Sequence, residues 1–496
     1  MKKTINQIIE LLKENQLIIE SVIDEKNENK EITSLTDNSK EALEGTLFVC
    51  KGAHFKKDYL EDAIKNGAIC YITDNRELAD KKQNSILVND IRKTMAILGN
   101  FYYENAWENF KLIGITGTKG KSTTAYFLKS IIDNYAASVY EKPAGILSSI
   151  ENYDGTIFEE SHLTTPEPLK LHWHFNNMKN NHIKYCIMEV SSQALKYDRV
   201  LGVNFDVGCF LNIGEDHISD IEHNSFEDYF SSKAKLFDLS KHMIISDEIN
   251  FDEIGVDLKK YDSKTEKFGD NPRSQNIVKS IVKNEDNIEF EIQNSIGTNK
   301  YKITLGGIFN VYNAAAAISV AVKLNIPYQN IYDGLASAKV SGRMEMFYNK
   351  PKHLTAIVDY AHNKLSFEKL FESVKEEYPD KKIVSIFGCP GGKAFSRRQF
   401  LGEIAGANSD LVIITEEDAG EEPLEKICSE IESFVKVKQP NCKVILDRED
   451  AIREGLSFYN KDTVVLITGK GRETRQKRGT DYIETLSDVE IVEKYI

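Results

Sequence analysis

The chain has 496 residues, too many for one hydrophobic core, and length alone predicts about three domains. At 41% hydrophobic and 28% charged residues it has the composition of a folded globular protein, and it holds no apolar run of the roughly 18–20 residues that a membrane-spanning helix needs. A net charge of −14 without a basic tract excludes a nucleic-acid footprint. None of the seven cysteines lies in a Cys-x-x-Cys pair, which excludes a zinc knuckle and a disulfide framework.

In chain order, residues Met1–Glu10 set apolar side chains at a helical period with polar ones between. This predicts an amphipathic first helix, not a signal peptide, and a cytoplasmic protein. Residues 1–108 form a first domain with strands at Thr46–Cys50 and Ala68–Ile72 and a helix closing over Asp62–Gly67. A second domain, 109–340, opens on an apolar strand and continues through strands at Tyr185–Glu189 and Asp206–Leu211. Apolar runs separated by polar, helix-compatible segments predict an α/β domain whose parallel sheet is covered on both faces. A break near Val340–Arg343 starts a third domain, 341–496. Its strands at Thr355–Asp359, Lys382–Phe387, Asp410–Thr415, Lys443–Leu446 and Thr463–Thr468 predict a Rossmann-like fold.

The segment from Lys111 to Thr124 carries the strongest chemical signal. A strand runs into Gly117-Thr118-Lys119-Gly120-Lys121-Ser122-Thr123 and a helix follows. The glycines let successive N–H groups face a phosphate, Lys121 supplies positive charge, Ser122 suits Mg²⁺, and the helix N-terminus adds its dipole. Ile115 stands where the commoner loop spacing needs glycine, so this is a compact variant of that loop. Glu189 follows an apolar strand, a position suited to a carboxylate that shares Mg²⁺ with Ser122. His217, after the next strand, is a candidate second metal ligand.

In order along the chain, Gly117–Ser122, Thr164-Thr165-Pro166, Glu189–Ser192, Asp216-His217, Phe309-Asn310, Gly342–Glu345 and Asp359–His362 resemble the motif series of the Mur ligases. Within that family the resemblance is to the UDP-N-acetylmuramoyl-tripeptide synthetases. It implies a three-domain α/β architecture: a UDP-MurNAc-dipeptide-binding domain, a central P-loop ATPase-like parallel sheet, and a C-terminal Rossmann-like domain that binds the amino acid. It also implies a reaction in which ATP phosphorylates the D-glutamate carboxylate of UDP-MurNAc-L-Ala-D-Glu. A free amino acid then displaces phosphate, in peptidoglycan synthesis. The implied cofactors are ATP and two Mg²⁺ ions, held by Ser122, Glu189, His217 and Lys233. The last is aligned with a lysine that the family carbamylates with CO₂ to N6-carboxylysine, with Lys235 as its neighbouring rival.

The resemblance assigns Gly117–Thr123, Asn310, Arg343 and His362 to ATP, and Ser39, Thr164, Thr165, Ser191 and Arg199 to the UDP-MurNAc-dipeptide. Asp418 and Glu473 are assigned to the incoming amino acid. Ser39 sits in Asp37-Asn38-Ser39-Lys40, where the family has Asp-Ser-Arg. Diaminopimelate-adding members carry Asp-Asn-Pro-Arg in the third domain, whereas this chain reads Thr415–Pro423 with five acids and no arginine. Crowded acids repel a distal carboxylate and attract a distal ammonium, which predicts L-lysine or a similar diamino acid. The expected protein is a monomer that binds neither nucleic acid nor membrane. The rival readings are a folylpolyglutamate synthase, which shares the ATP machinery, and a catalytically silent nucleotide-binding paralogue.

Overall fold

The computed structural model describes residues 3–52, 55–79, 83–161, 163–214, 222–251, 258–284, 287–340, 344–458 and 462–496. The chain divides into two compact units, residues up to 276 with 316–331, and residues 277–315 with 332–496. Both are mixed α/β.

The first unit begins with α1 (Ile5–Glu14), capped reciprocally by Thr4 and Gln7, with Ile5, Ile8, Ile9 and Leu12 buried. This is the amphipathic helix that the N-terminal periodicity predicts. It shares a core with a small sheet of β1 (Ile18–Val22), β2 (Ser34–Thr36), β3 (Thr46–Cys50), β4 (Ala68–Thr73) and β5 (Ser85–Val88), in the order β1-β5-β4-β3-β2. Helix α2 (Lys57–Lys65) joins β3 to β4, and α3 (Ile91–Tyr102) follows β5.

A larger sheet follows in the same unit. Its strands are β6 (Lys111–Thr116), β7 (Gly145–Leu147), β8 (Glu151–Tyr153), β9 (Phe158–Glu160), β10 (Tyr185–Glu189), β11 (Phe205–Phe210), β12 (Ser240–Ser246) and β13 (Thr265–Gly269). They run β9-β8-β7-β10-β6-β11-β12-β13, parallel from β7 to β13. The antiparallel edge β7-β8-β9 is absent from the sequence reading, because strands of three residues are too short to leave a periodic trace. Helices α4 (Lys121–Ser138), α5 (Pro168–Asn180), α6 (Ser192–Lys196) and α7 (Phe226–Asp238) connect these strands. Register pairs Glu189 with Ile115, so β10 ends beside the loop that follows β6. Ligands of open α/β sheets bind at such strand ends.

His172 on α5 is fully buried, with its ring edge-on to Phe175 and both ring nitrogens without a hydrogen-bond partner. It packs so closely on α3 that a side chain at Gly99 would meet its ring at 2.5 Å. Burial pulls its imidazole down to about 3. The unfolded chain therefore takes up a proton below the ordinary value near 6.5 while the folded chain does not. Stability is complete above that value and falls as the pH drops toward 3. Moving from about pH 7 to about pH 5 should cost about 2 kcal/mol through this residue. Urea unfolding of His172→Leu at both pH values should lose that share of the pH dependence; an unchanged dependence would refute it.

The second unit starts with an antiparallel meander of β14 (Asn276–Lys283), β15 (Ile288–Asn294) and β16 (Gly297–Ile303). Helices α8 (Phe309–Lys323) and α9 (Tyr328–Ala336) come next in the chain. The unit's main sheet has strands β17 (Glu345–Asn349), β18 (Leu354–Asp359), β19 (Lys382–Phe387), β20 (Leu411–Ile414), β21 (Cys442–Val444) and β22 (Thr463–Thr468). Their order is β17-β18-β22-β19-β20-β21, parallel except for β17. The five strands read from apolar runs in the third domain are all present within two residues at either end. Helices α10 (Lys364–Glu377), α11 (Ser396–Asn408), α12 (Leu424–Lys436) and α13 (Arg448–Leu456) link them, and the hairpin β23 (Arg475–Arg478) and β24 (Asp481–Glu484) precedes the last helix, α14 (Asp488–Tyr495).

All seven cysteines are free thiols, six of them buried. No helix among the described residues is long and apolar enough to cross a membrane.

Candidate functional site

Between β6 and α4 the backbone turns at Gly120, whose φ of 81° lies in the left-handed region that glycine adopts without strain. The loop is clamped from both sides. Lys119 N donates to Asn212 Oδ1 at 2.9 Å and the Asn212 amide donates back to Lys119 O at 3.1 Å. Thr118 Oγ1 accepts from Gly214 N at 3.0 Å and lies 3.1 Å from the Tyr229 hydroxyl. The Lys121 ammonium donates to the carbonyls of Gly117 and Thr118, at 3.0 and 3.2 Å. Positive charge is thus held over the loop, as phosphate binding requires.

Lys233, on α7, is buried with 2% exposure. Its ammonium donates to the same Gly117 carbonyl at 3.0 Å and stands 4.6 Å from the centre of the Tyr229 ring. Lys235 turns elsewhere, to Leu195 O at 2.9 Å and toward Asp198. Of the two candidate lysines, only Lys233 meets the phosphate loop.

Glu189 is almost fully buried at the end of β10. Its Oε1 accepts from Ser149 twice, from the main-chain N–H at 3.0 Å and from the hydroxyl at 3.3 Å. Ser149 Oγ is in turn 3.0 Å from Ser122 Oγ. Ser122 and Glu189 are therefore brought together through a residue that sequence reasoning missed. Thr123 is buried within the first turn of α4.

The residues expected to hold an anionic substrate gather around Thr165. Its hydroxyl donates to Glu189 O at 2.8 Å and accepts from Ser191 N at 3.0 Å, and Arg199 donates to its carbonyl at 3.0 Å. Ser191 caps α6 by accepting from Ala194 N. Arg199 also pairs with Glu167 at 2.7 Å, and Glu167 pairs with Lys51 at the end of β3. Ser39 lies two residues beyond Asp37, whose carboxyl burial holds above its usual range while Lys51 pulls it down. Ser39 itself is buried, its carbonyl accepting from Asn66. Thr164 is half-buried beside Thr165. Lys51 and Glu167 are further residues that the sequence reading did not place in the site; the signal available was Lys51 at the end of a fully buried strand.

His217 and Arg343 lie outside the described residues. His223, near His217 in sequence, is fully buried between Ser192 Oγ at 3.0 Å and Asp228 at 3.4 Å, joining α6 to α7.

In the second unit, Asn310 uses both ends of its amide internally, donating to Gly306 O at 2.6 Å and accepting from Asn313 at 2.9 Å. His362 follows β18 with Nδ1 at 2.8 Å from Tyr360 O. A carbonyl can only accept, so Nδ1 carries the proton. Asp418 and Glu473 are brought together by Lys470, which is 3.0 Å from Asp418 Oδ1 and 2.5 Å from Glu473 Oε2. Burial pulls this ammonium down, but Glu473 and Asp418 more than offset it and hold it above its usual range. Glu473 also accepts from the Tyr360 hydroxyl.

The acidic segment differs from the expectation of bare, crowded charge. Glu416 forms two bonds to Arg478, and Glu422 pairs with Arg398 at 2.7 Å and Lys426 at 3.0 Å. Glu417 is buried against Gly469, where a Cβ would meet its carboxylate at 2.3 Å, and burial pushes it up to about 7 against the pull of Arg448 and Lys470. Glu421 stays exposed, and the Asp418–Lys470–Glu473 cluster sets two acids against one base.

The Mur ligase middle-domain model matches residues 115–321, and the Mur ligase glutamate-ligase-domain model matches residues 342–471. A UDP-N-acetylmuramoyl-L-alanyl-D-glutamate–L-lysine ligase of Enterococcus faecalis is 37% identical over 90% of this chain and 88% of its own length. The chain belongs to the Mur ligase family. Mur ligases are ATP-dependent amide-bond-forming ligases, and curated relatives of this one include UDP-MurNAc-tripeptide synthetases. Another relative, the 2,6-diaminopimelate ligase of Clostridioides difficile, is 34% identical over 92% of the chain and 93% of its own length. Among solved structures, a UDP-N-acetylmuramoyl-L-alanyl-D-glutamate–2,6-diaminopimelate ligase superposes with a TM-score of 0.66 at 20% identity, over 100% of this chain and 99% of that one. In this Mur ligase the phosphate loop, Glu189 and Lys233 all fall inside the matched middle domain.

Proposed function

We propose that this Mur ligase joins L-lysine to UDP-MurNAc-L-Ala-D-Glu, acting as a cytoplasmic monomer with three domains divided near residues 108 and 340. The observation that carries the reading is the convergence on one loop of Lys121, Lys233 and the Ser122–Ser149–Glu189 chain. Phosphoryl transfer depends on positioning and charge neutralisation more than on covalent help from the protein. The D-glutamate carboxylate oxygen attacks the γ-phosphorus and ADP leaves. The amine of the incoming amino acid then attacks the acyl carbon, phosphate leaves, and the amine gives up a proton.

Lys121 and residues Gly117–Thr123 would hold the ATP phosphates, and the family resemblance adds Asn310, Arg343 and His362 as nucleotide contacts. Ser39, Thr164, Thr165, Ser191 and Arg199 would hold the sugar nucleotide, with Lys51 as an added cation. The oxygen donors Ser122 and Glu189 suit Mg²⁺, which takes few protein ligands and shares the phosphates. When bound it neutralises charge on the transferring group. His217 and Lys233 would serve the second ion. For Lys233 that requires carbamylation: its neutral amine adds to the carbon of CO₂ and releases a proton, turning a cation into an oxygen donor.

L-lysine is favoured over diaminopimelate by the absence of an arginine from Thr415–Pro423 and by the excess acid of the Asp418–Lys470–Glu473 cluster. The test is to incubate the chain with UDP-MurNAc-L-Ala-D-Glu, ATP, Mg²⁺ and bicarbonate, offering amino acids singly and reading product mass with phosphate release. Product with lysine or ornithine, and none with meso-diaminopimelate, is expected. A diaminopimelate product would keep the ligase and overturn the side-chain reading. No product with any amino acid would favour another acceptor, as in a folylpolyglutamate synthase, or a silent paralogue.

A further inference from the structure

We propose that Ser149 is a positioning residue for the reaction, a hydrogen-bond relay that orients the hydroxyl of Ser122 and the carboxylate of Glu189 toward a metal. The inference rests on the Mg²⁺–nucleotide reading given above and concerns a residue to which that reading assigns no role.

Strand β7 lies beside β10 in parallel register, Leu147 opposite Met188, so the turn after β7 arrives next to Glu189. Ser148 shapes that turn, its buried hydroxyl donating to Glu151 O at 2.9 Å and accepting from the N–H groups of Ile150 and Glu151. Ser149 is thereby aimed at the gap between two residues that are distant in sequence. Its hydroxyl is 3.0 Å from Ser122 Oγ and 3.3 Å from Glu189 Oε1.

Proton directions in this chain are fixed by chemistry. An ionised carboxylate only accepts, so the Ser149 proton points to Glu189 Oε1. Ser149 Oγ is then the acceptor for the Ser122 proton, and the Ser122 lone pairs face away from it. Among the described residues, Oε1 receives both donors of Ser149 and Oε2 receives none. One hydroxyl lone pair and one carboxylate oxygen are thus left presented together, both hard oxygen donors of the kind Mg²⁺ takes. Alanine at position 149 keeps the main-chain bond to Oε1 but removes the acceptor for Ser122, which frees that hydroxyl to rotate.

The test is titration of the full chain with the non-hydrolysable β,γ-methylene analogue of ATP, in EDTA and across a Mg²⁺ series, for wild type, Ser149→Ala, Ser149→Thr and Glu189→Gln. Thermal unfolding verifies that each variant is folded. Ser149→Ala should bind the analogue in EDTA within about two-fold of wild type, yet need about ten-fold more Mg²⁺ for half of the metal-dependent tightening, the effect typical of an outer-shell partner. Ser149→Thr should recover most of it, and in turnover the loss should fall on kcat more than on KM for ATP. A normal Mg²⁺ dependence in Ser149→Ala, with a shifted one in Glu189→Gln, would overturn the relay and leave the metal reading standing. Loss of binding in EDTA without rescue by threonine would assign Ser149 a structural role and overturn the relay. Metal-independent binding in the wild type would overturn the metal reading and the relay together.

Discussion

Lys233→Ala is expected to lower turnover by about a thousand-fold or more, the scale of removing a preorganised charge from a transition state. Added formate or acetate should restore part of it. Lys233 is one of the largest fully buried side chains, held to the Gly117 carbonyl at 3.0 Å. If carbamylated, it supplies an anionic oxygen where the free side chain supplies a cation, and truncation leaves a cavity open to a small carboxylate. Intact-protein mass should find one added CO₂ in wild type and none in the variant. Lys235→Ala should keep near-normal rates, because Lys235 bonds to Leu195 O, away from the loop. Full activity in Lys233→Ala would end the carbamate idea. Inactivity without rescue, beside an active Lys235→Ala, would leave a structural role for the buried amine.

Lys121→Ala should be comparably severe, with turnover down by about a thousand-fold and nucleotide affinity reduced in EDTA as well as in Mg²⁺. In the present structure the ammonium rests on two loop carbonyls, and bound phosphate would draw it off them. Its loss removes charge from the phosphates, while the loop keeps its shape through Asn212 and Thr118. Unfolding should therefore be little changed, which separates a loss of chemistry from a loss of fold. Phosphate release within ten-fold of wild type would remove Lys121 from the mechanism.

How much of this site could be read from sequence depends on how local each part is. The phosphate loop is contiguous, so Gly117–Thr123 declared itself from a strand, two glycines and a lysine. The buried parallel strands were legible because they are uninterrupted apolar runs. Ser149 was not, since its meaning comes from Glu189, forty residues away, and from a three-residue strand with no periodicity. Lys51, Glu167 and Arg199 likewise meet only through the fold. The meander β14–β16 was missed although a signal existed: Ile288, Phe290 and Ile292 alternate with polar residues, and all three are buried. The acidic segment was legible as composition, whereas the partners of its acids, Arg398, Arg478 and Lys470, come from other elements and could not be read from the segment itself.

Glu167 holds Lys51 and Arg199 on a single carboxylate, and Lys470 likewise stands between Asp418 and Glu473. Each cluster carries a resident tenant. While the site is empty, the tenant keeps long, rotamer-rich side chains aimed and spares them disorder, so less freedom remains to be lost when a ligand arrives. It also means that a ligand is compared with an occupant and not with water. A weakly matched anion or amine leaves the tenant in place. One that offered more, such as two phosphates against one carboxylate, would displace it, and a site built this way would gain discrimination by giving up some affinity.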